Sequence, residues 1–208
     1  MSGYTISGDL DELRRLTFGI TGAKEALEKA AASATNKTAT SSRAFLARSV
    51  AATYRIKVGT VKKEIKIRKA SARQRTIEAA LYGKGAPGIA LQNFFPTPRR
   101  VPSTRRTKNG GYTPKAGIKV EVRRGNRKQI TGAFVSKMGS GHIGVYQRSG
   151  SKQLPVKELF GPSPVNMIAA NEDISDELNA YTITQQKKNI ASAAKYFLSK
   201  ADILPGFE

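Results

Sequence analysis

The stretch VYQRSGSKQLPVKELFGPSPVNM, residues 145–167, carries the most informative structural signals in the chain. It begins like a strand at Val145 and Tyr146, passes through a polar turn, and continues into a segment bounded by prolines. Because proline restricts its own φ angle and biases the preceding residue toward extended backbone, we expect this connector to be stiff. Its spaced apolar side chains are predicted either to fold back on a sheet or to insert into a neighbouring molecule: Leu154, Val156, Leu159 and Phe160.

The connector follows a single arginine, Arg148, at the end of the predicted strand. We expect Arg148 to pair with Glu158 and to hold the connector in place. The residues predicted to form this loop or subunit interface are Arg148, Leu154, Pro155, Glu158, Leu159, Phe160 and Pro162.

Short runs upstream of the connector alternate apolar and polar residues, which is the period of a half-buried strand. They lie at residues 76–82, 117–124, 128–136 and 142–148. Gly125-Asn126 is a favourable tight turn between two of them. We expect four antiparallel strands in a meander, with one apolar face for a helix to cover.

Apolar residues recur at three- and four-residue steps from Leu13 to Ala34, the spacing of a seam along a helix. Gly19 and Gly22 weaken the early part of this pattern, so the predicted helix begins at Thr21. The segment is rich in alanine, and small side chains let another backbone approach closely. We therefore expect this helix to pack against a sheet or against a neighbouring subunit.

The predicted fold class is α+β: a long N-terminal helix packed on a small antiparallel β-sheet, followed by a helical C-terminus. Two C-terminal helices are expected at 165–180 and 184–201. We assign residues 1–170 to one α+β domain and residues 171–208 to a C-terminal helical extension.

The charge of the chain is strongly positive and unevenly distributed. The 36 Lys and Arg residues against 15 Asp and Glu give a formal net charge of +21, which indicates a polyanion or an acidic protein as partner. Residues 43–75 and residues 97–128 each hold eleven bases and one acid, whereas both ends of the chain are close to neutral.

Each basic block contains a candidate contact segment. Residues 59–70 are predicted to form a basic helix after the capping pair Gly59-Thr60, so that residues 55–70 resemble a helix-turn-helix reader of DNA. Residues 93–117 are predicted to form a long basic loop because they are rich in proline and glycine. The candidate contacts to DNA or to an acidic partner are Lys62, Lys63, Lys66, Lys69, Arg99, Arg100, Arg105 and Arg106.

No pattern in the chain is typical of catalysis. Cysteine is absent, and the single histidine, His142, has no carboxylate near it in sequence. We find no metal-ligand spacing, no phosphate-binding glycine loop and no acidic cluster for metal-dependent cleavage of nucleic acid. The expectation is therefore a protein that is not an enzyme and uses no cofactor. The chain lacks a signal-peptide pattern and an apolar run long enough to span a membrane, so we expect it not to be exported.

Taken in order, these segments resemble the minor tail protein Z family of tailed bacteriophages, also called tail completion proteins. The resemblance covers roughly residues 20–170. It rests on an alanine-rich helix ending in AATYRIKVGTVKKEIKIRKAS, on TIEAALYGKGAPGIALQNFF, on the hairpin IKVEVRRGNRKQI, and on TGAFVSKMGSGHIGVYQRSGSKQLPVKELFGPSPVNM before a helical C-terminus. The proline- and arginine-rich stretch at 96–114 is not part of this pattern.

The resemblance implies a structural virion protein, made in the host cytoplasm, that completes the head-proximal end of the tail and helps to join it to the head. It implies a homo-oligomeric ring, preferentially a hexamer, with the tail terminator, tail tube and head-tail connector as partners. No catalytic residue is implied. The basic residues would contact passing DNA without reading its sequence, or would face acidic surfaces of neck proteins. The alternative is a sequence-specific DNA-binding protein that uses residues 55–70.

Overall fold

The computed structural model describes residues 10–73, 76–83, 86–99, 117–152 and 154–200, and for residues 10–21 it describes the backbone alone. The chain divides into two compact units. Unit 1 contains the described residues up to Ser42, Ile67–Ala80 and the described residues from Asn179 onward. Unit 2 contains Arg43–Lys66 and Leu81–Leu178. The predicted domain boundary at residue 170 stays a prediction.

The fold class is α+β, as predicted. The helices are α1 (Leu10–Thr53), α2 (Val58–Glu64), α3 (Pro164–Ala169) and α4 (Glu172–Lys200), with a short 3-10 turn at Leu91–Phe94. The strands are β1 (Lys66–Arg68), β2 (Ala80–Tyr82), β3 (Ile118–Arg123), β4 (Asn126–Ile130), β5 (Ala133–Lys137), β6 (Ile143–Arg148) and β7 (Val156–Glu158). No helix in the described part of the chain has the length and apolar character needed to cross a membrane.

Helix α1 begins earlier than the sequence predicts, at Leu10 and not at Thr21. Two glycines cost a helix roughly 1 kcal/mol each relative to alanine, and this cost does not terminate a helix that continues for 44 residues. The other end of α1 is capped by tertiary contacts. Arg124 donates from Nε and Nη2 to the Ala51 carbonyl at 3.2 and 3.0 Å, and its backbone N–H donates to the Thr53 carbonyl.

Within unit 1, α1 packs antiparallel to α4 through small side chains. Ala30 and Ala34 contact Ala193 and Phe197 in one apolar cluster. Thr38 is 3% exposed, and its hydroxyl accepts a hydrogen bond of 2.9 Å from the Asn189 side chain. The alanine-rich part of α1 was predicted to pack against a sheet or a neighbouring subunit, and within unit 1 its partner is instead a helix of the same chain, α4.

Polar side chains join α1 and α4 farther along the same interface. Ser42 and Thr182 are 2.9 Å apart between hydroxyl oxygens, and Ser42 is buried. Buried hydroxyls that are hydrogen-bonded avoid the cost of desolvation, so the seam can be narrow without being entirely apolar.

Helix α2 is shorter than predicted, because it ends at Glu64 and not at residue 70. Ile65 is extended, at φ −90° and ψ 116°, and only 3% exposed, and β1 follows directly. The sequence Glu64-Ile65-Lys66-Ile67-Arg68 alternates charged and apolar residues, which is the period of a strand. This period decides the conformation beyond Glu64. The predicted capping pair Gly59-Thr60 is also wrong, because both residues lie inside α2 and the N-cap is Lys57.

Within the described residues the strands form three small sheets and not one four-stranded meander, and the β3–β4, β5–β6 and β6–β7 pairs are antiparallel. Strand β1 pairs with β2, β3 with β4, and β5 with β6, which in turn pairs with β7. The predicted strand at 128–136 is divided by a turn at Thr131-Gly132, where Gly132 has φ of 74°. Its first part therefore pairs with β3 and its second part with β6.

The core of unit 2 lies between these sheets, the end of α1, and the helices α2 and α3. Val50, Phe94, Ile118, Val145 and Met167 are fully buried in one apolar cluster. Helix α3 enters this core through Ser163, which is buried and caps the helix by accepting a hydrogen bond from the Asn166 N–H at 3.2 Å.

The C-terminal helices are divided at a different place from the predicted one. The break lies at residues 170–171, between α3 and α4, and α4 continues through residues 181–183. At the break, the Asn171 amide donates to the Tyr54 hydroxyl at 2.8 Å and to the Met167 carbonyl at 2.6 Å. The Tyr54 hydroxyl is 117 positions away in sequence, so local helix propensity does not reveal this contact at the break.

A candidate anion-binding groove

An aromatic side chain with an unusual backbone lies beside the 3-10 turn of unit 2. Phe95 has φ of 51°, in the left-handed region that residues other than glycine rarely adopt. The Arg99 guanidinium carbon lies 4.8 Å from the ring centroid, and that of Arg55 lies 6.0 Å from it. Two cations near one ring are each attracted by about 0.5–1 kcal/mol at an exposed site.

This ring forms part of the lining of an open groove of about 460 Å³. We call it the basic groove, and the lining residues that matter for its chemistry are Lys57, Thr60, Lys63, Gln92, Phe95 and Arg99. Lys57, Lys63 and Arg99 are exposed, and none of the described lining residues is acidic. The groove therefore concentrates three positive charges around a concave surface, an arrangement suited to carboxylate or phosphate groups.

Gln92 adds a neutral hydrogen-bonding group, its side-chain amide, to the groove. Its amide Nε2 donates to the Arg99 carbonyl at 3.0 Å, which sets the orientation of the amide. The amide oxygen Oε1 is buried and has no hydrogen-bond partner among the described residues. A buried acceptor without a partner costs about 1–3 kcal/mol, so a ligand that carries a donor would gain from meeting it.

Glu121 on β3 neutralises one of the arginines near the groove. Its carboxylate pairs with the Arg55 guanidinium, and its Oε1 accepts a hydrogen bond from the Gly125 N–H at 2.9 Å. The Gly125 hydrogen bond, followed by Arg55 and Arg127, holds the pKa of the Glu121 carboxyl below its ordinary value. Glu121 therefore stays ionised and orients Arg55 near Phe95.

We expect Glu121→Gln to destabilise the protein at pH 7 and to matter less as the pH is lowered. Since the folded-state pKa lies below the unfolded value of about 4.3, ionised Glu121 stabilises the fold above that value, and this contribution is lost as pH falls through the folded-state pKa. Urea denaturation midpoints of both proteins between pH 7 and pH 3 measure the difference. A difference that stays constant over this range would contradict the prediction.

The β3–β4 hairpin presents a basic surface whose residues were not among the predicted contacts. Lys119, Arg127 and Lys128 are exposed on it, and Arg127 donates to the Thr97 hydroxyl at 2.6 Å. Thr97 in turn bridges to Lys119 through two backbone hydrogen bonds. The basic run RRGNRK, at the turn between two strands of alternating polarity, is the sequence feature that could have predicted this surface.

Two of the eight predicted contact residues line the basic groove. Lys63 and Arg99 both line the basic groove, although 36 positions separate them in sequence. Lys62, Lys66 and Lys69 are exposed but are not among the groove residues. The remaining three predicted residues, Arg100, Arg105 and Arg106, lie outside the part of the chain that the structure describes.

The predicted helix-turn-helix reader at 55–70 is wrong in its geometry. Its second helix would have to carry Lys66 and Lys69, but α2 has seven residues and ends at Glu64, and Lys66 lies on a strand. A recognition helix inserts its side chains into the major groove along one helical face. A helix of about two turns followed by an extended segment cannot present these four lysines on such a face.

The proline-bounded connector folds back on a sheet, which is one of the two predicted alternatives. Its centre forms β7, which pairs with β6 and places Glu158 opposite Tyr146 and Val156 opposite Arg148. Leu159 is half-buried against the core and donates its N–H to the Val145 carbonyl at 2.8 Å.

Other members of the predicted interface remain accessible. Leu154 is 69% exposed and Phe160 is 43% exposed, whereas the Pro162 carbonyl accepts a hydrogen bond from the Ile89 N–H. Pro155 precedes β7, and its carbonyl accepts from the Ser149 N–H at 3.1 Å. The connector is therefore anchored at both ends while Leu154 and Phe160 face solvent in the single chain.

His142 has a carboxylate partner that its sequence neighbourhood does not reveal. Its Nε2 lies 2.8 Å from Glu158 Oε1, because β7 pairs with β6. Arg148, which was predicted to pair with Glu158, stacks over the Phe134 ring with its guanidinium carbon 4.9 Å from the centroid. Burial, and secondarily the Glu158 charge, raises the pKa of the Tyr146 phenol beside them. Within the described residues, no three histidine or acidic side chains come together as a metal site would require.

Comparison with known proteins places the chain in a family. No curated protein and no solved structure matches it. A family model described as prophage minor tail protein Z (GPZ) matches residues 20–200. This match extends the resemblance seen in the sequence, roughly residues 20–170, through the whole of α4. Because it covers most of the chain, the protein belongs to the prophage minor tail protein Z (GPZ) family.

Proposed function

We propose that this protein completes the head-proximal end of a phage tail, as a ring of identical subunits that helps to join the tail to the head. Membership of the minor tail protein Z family makes it a structural tail component of the virion. The match over residues 20–200 carries the proposal, since it includes both the core of unit 2 and the helix pair of unit 1.

The charge distribution supports a position where the tail meets its neighbours and its DNA. The groove cations Lys57, Lys63 and Arg99 are exposed, and so are Arg127 and Lys128 on the β3–β4 hairpin. Lysines and arginines on a surface bind phosphates without reading bases, and such contacts are salt-sensitive and tolerate sliding. The hairpin is suited to phosphates of passing DNA because it is an exposed ribbon with little acidic charge.

The accessible end of the connector supports contacts with other proteins of the neck. Leu154 and Phe160 are large apolar side chains held outward on an anchored segment. A rigid segment loses little conformational entropy when it is bound, which favours docking. We expect the tail terminator, the tail tube or the head-tail connector to cover these two side chains.

The test is a phage whose copy of this gene is interrupted, complemented by the wild-type gene. Without the protein, we expect filled heads and tails that fail to join, and complementation restores joined particles. Cryo-electron microscopy of the restored particles should show a ring of this chain at the head-proximal end of the tail. Density at the distal end, or joined and infectious particles without the protein, would overturn the proposal.

A further inference from the structure

We propose that the basic groove binds the acidic start of α4 from a second copy of this chain. This inference rests on the proposed ring and identifies the surfaces that would join one subunit to the next. The acidic patch consists of Glu172, Asp173, Asp176 and Glu177, four of the 15 acidic residues of the chain within six positions.

The acidic patch is exposed, and no ion pair within the described residues neutralises its charge. All four side chains are exposed, and no ion pair found within the described residues includes any of them. Glu172 and Asp173 lie in the first turn of α4, where acids interact favourably with the helix dipole. Asp176 and Glu177 lie beyond that turn, so the dipole does not account for them.

The basic groove is complementary to this patch in charge. Lys57, Lys63 and Arg99 are exposed on it, and no ion pair found within the described residues includes them. Lysine and arginine bind carboxylates through charge-assisted hydrogen bonds, which are about twice as strong as neutral ones. Both sets of charge, unpaired among the described residues, lie on unit 2.

The hydrogen-bonding capacity of the groove favours a peptide over DNA. Gln92 lines the groove, and its Oε1 has no hydrogen-bond partner among the described residues, so a donor brought to it would be accepted. The backbone of duplex DNA presents phosphate oxygens, which accept hydrogen bonds and do not donate them. The first turn of a helix presents backbone N–H groups without an intrahelical partner beside its carboxylates, and Ser175 adds a hydroxyl to the same segment. The acidic patch supplies both carboxylates and donors, whereas the DNA backbone supplies acceptors.

The arrangement suits a ring because the two surfaces differ. A contact between two different patches of identical subunits is heterologous, and it closes into a ring when the rotation between subunits divides a full turn. Chains with a net charge of +21 repel one another, so a local contact of opposite charge is needed to bring them together and set their orientation.

The first experiment reverses charge on each surface separately in the full chain. The groove variant is Lys57→Glu with Lys63→Glu, and the patch variant is Asp176→Lys with Glu177→Lys. Each variant should associate about tenfold or more weakly with itself than the wild type does, as sedimentation velocity at low salt measures. Lys62→Glu with Lys66→Glu is the matched control, because both lysines are exposed and lie outside the groove lining. It should associate like the wild type.

An equimolar mixture of the two variants provides the decisive comparison. The glutamates of one variant would face the lysines of the other, and the remaining native surfaces also match, so the mixture should recover association. The groove variant loses four units of charge and has a net charge of +17, because 21 − 4 = 17. The patch variant gains four units and has a net charge of +25, so the mean of the mixture is +21, as in the wild type. The recovery therefore cannot come from a change in average charge.

Zero-length crosslinking of the wild type gives a second readout that needs no variant. A carbodiimide joins a carboxylate to a lysine amine as an amide with loss of water. Mixed unlabelled and isotope-labelled chains should give intermolecular crosslinks from Lys57 or Lys63 to the acidic patch. A wild-type chain that stays monomeric at low salt, or a mixture that fails to recover, would overturn the inference.

Binding of duplex DNA separates this inference from its main competitor. If the groove variant lost DNA affinity and kept its self-association, the groove would be a DNA site and the inference would be wrong. These outcomes leave the proposed function intact, since that is tested by whether heads and tails join. If heads and tails joined without the protein, the proposed function would instead be wrong.

Discussion

Phe94→Ala is expected to destabilise the protein by about 3–5 kcal/mol. Phe94 is fully buried, at 0% exposure, and it packs in the core of unit 2 at the end of the 3-10 turn. Its ring lies against Gly161, where an added Cβ would come within 2.7 Å of Cε2. Removing the ring loses apolar burial and leaves a cavity that the surrounding backbone segments hold open.

Urea denaturation followed by circular dichroism measures this loss. Phe160→Ala is the matched control, since it removes the same ring from a site that is 43% exposed. We expect the control to cost markedly less than the core substitution. Losses of equal size would show that the core around Phe94 is not the tightly packed region that the structure describes.

Gly88→Ala is expected to be at least as disruptive, at roughly 3 kcal/mol or more, because the clash is with backbone. A Cβ at Gly88 would lie 1.8 Å from the Gly161 carbonyl oxygen. The two segments approach this closely because the Gly161 N–H donates to the Ile89 carbonyl at 2.8 Å and the Leu91 N–H to the Leu159 carbonyl at 3.0 Å. A methyl group at residue 88 would force these two segments apart and detach the connector from the core.

Gly150→Ala provides the comparison, because a Cβ there would meet nothing within 4 Å. Thermal unfolding and hydrogen exchange of the amides of Gly161 and Leu91 measure the effect. The prediction requires faster exchange at both amides in Gly88→Ala alone. Unchanged protection in that variant would mean that the contact between the two segments does not require a glycine.

The clearest errors in predicting the fold came where a local signal was outweighed by a longer pattern or by a distant contact. Gly59-Thr60 indicates a helix start, and α2 does include both residues. The alternation through Ile65 and Ile67 nevertheless converts the following residues into a strand, because Ile65 is buried in the core. Asn171 likewise divides the C-terminal helices through a hydrogen bond to Tyr54, 117 positions away.

The sequence predicted only part of the candidate site. Lys63 and Arg99 belong to the two basic blocks that composition identified, but their meeting at one groove depends on how α2 and the 3-10 turn pack. Phe95 and Gln92 carry no sequence signal, because their roles come from a left-handed backbone and from a buried amide oxygen without a partner. The Glu158 partner of His142 is not evident from the sequence, because the pairing of β7 with β6 brings it there from 16 positions away.

The sequence by itself determined the α+β class, the basic middle of the chain and the resemblance to a family of phage tail proteins, which the match over residues 20–200 confirms. These follow from periodicity, composition and ordered motifs, all of which are properties of the linear chain. Only the tertiary structure decided that the connector is a strand, that one predicted strand divides between two sheets, and that a basic groove forms beside Phe95. The physical reason is that burial and strand pairing join residues far apart in sequence, and local patterns carry no record of which distant segment will meet them.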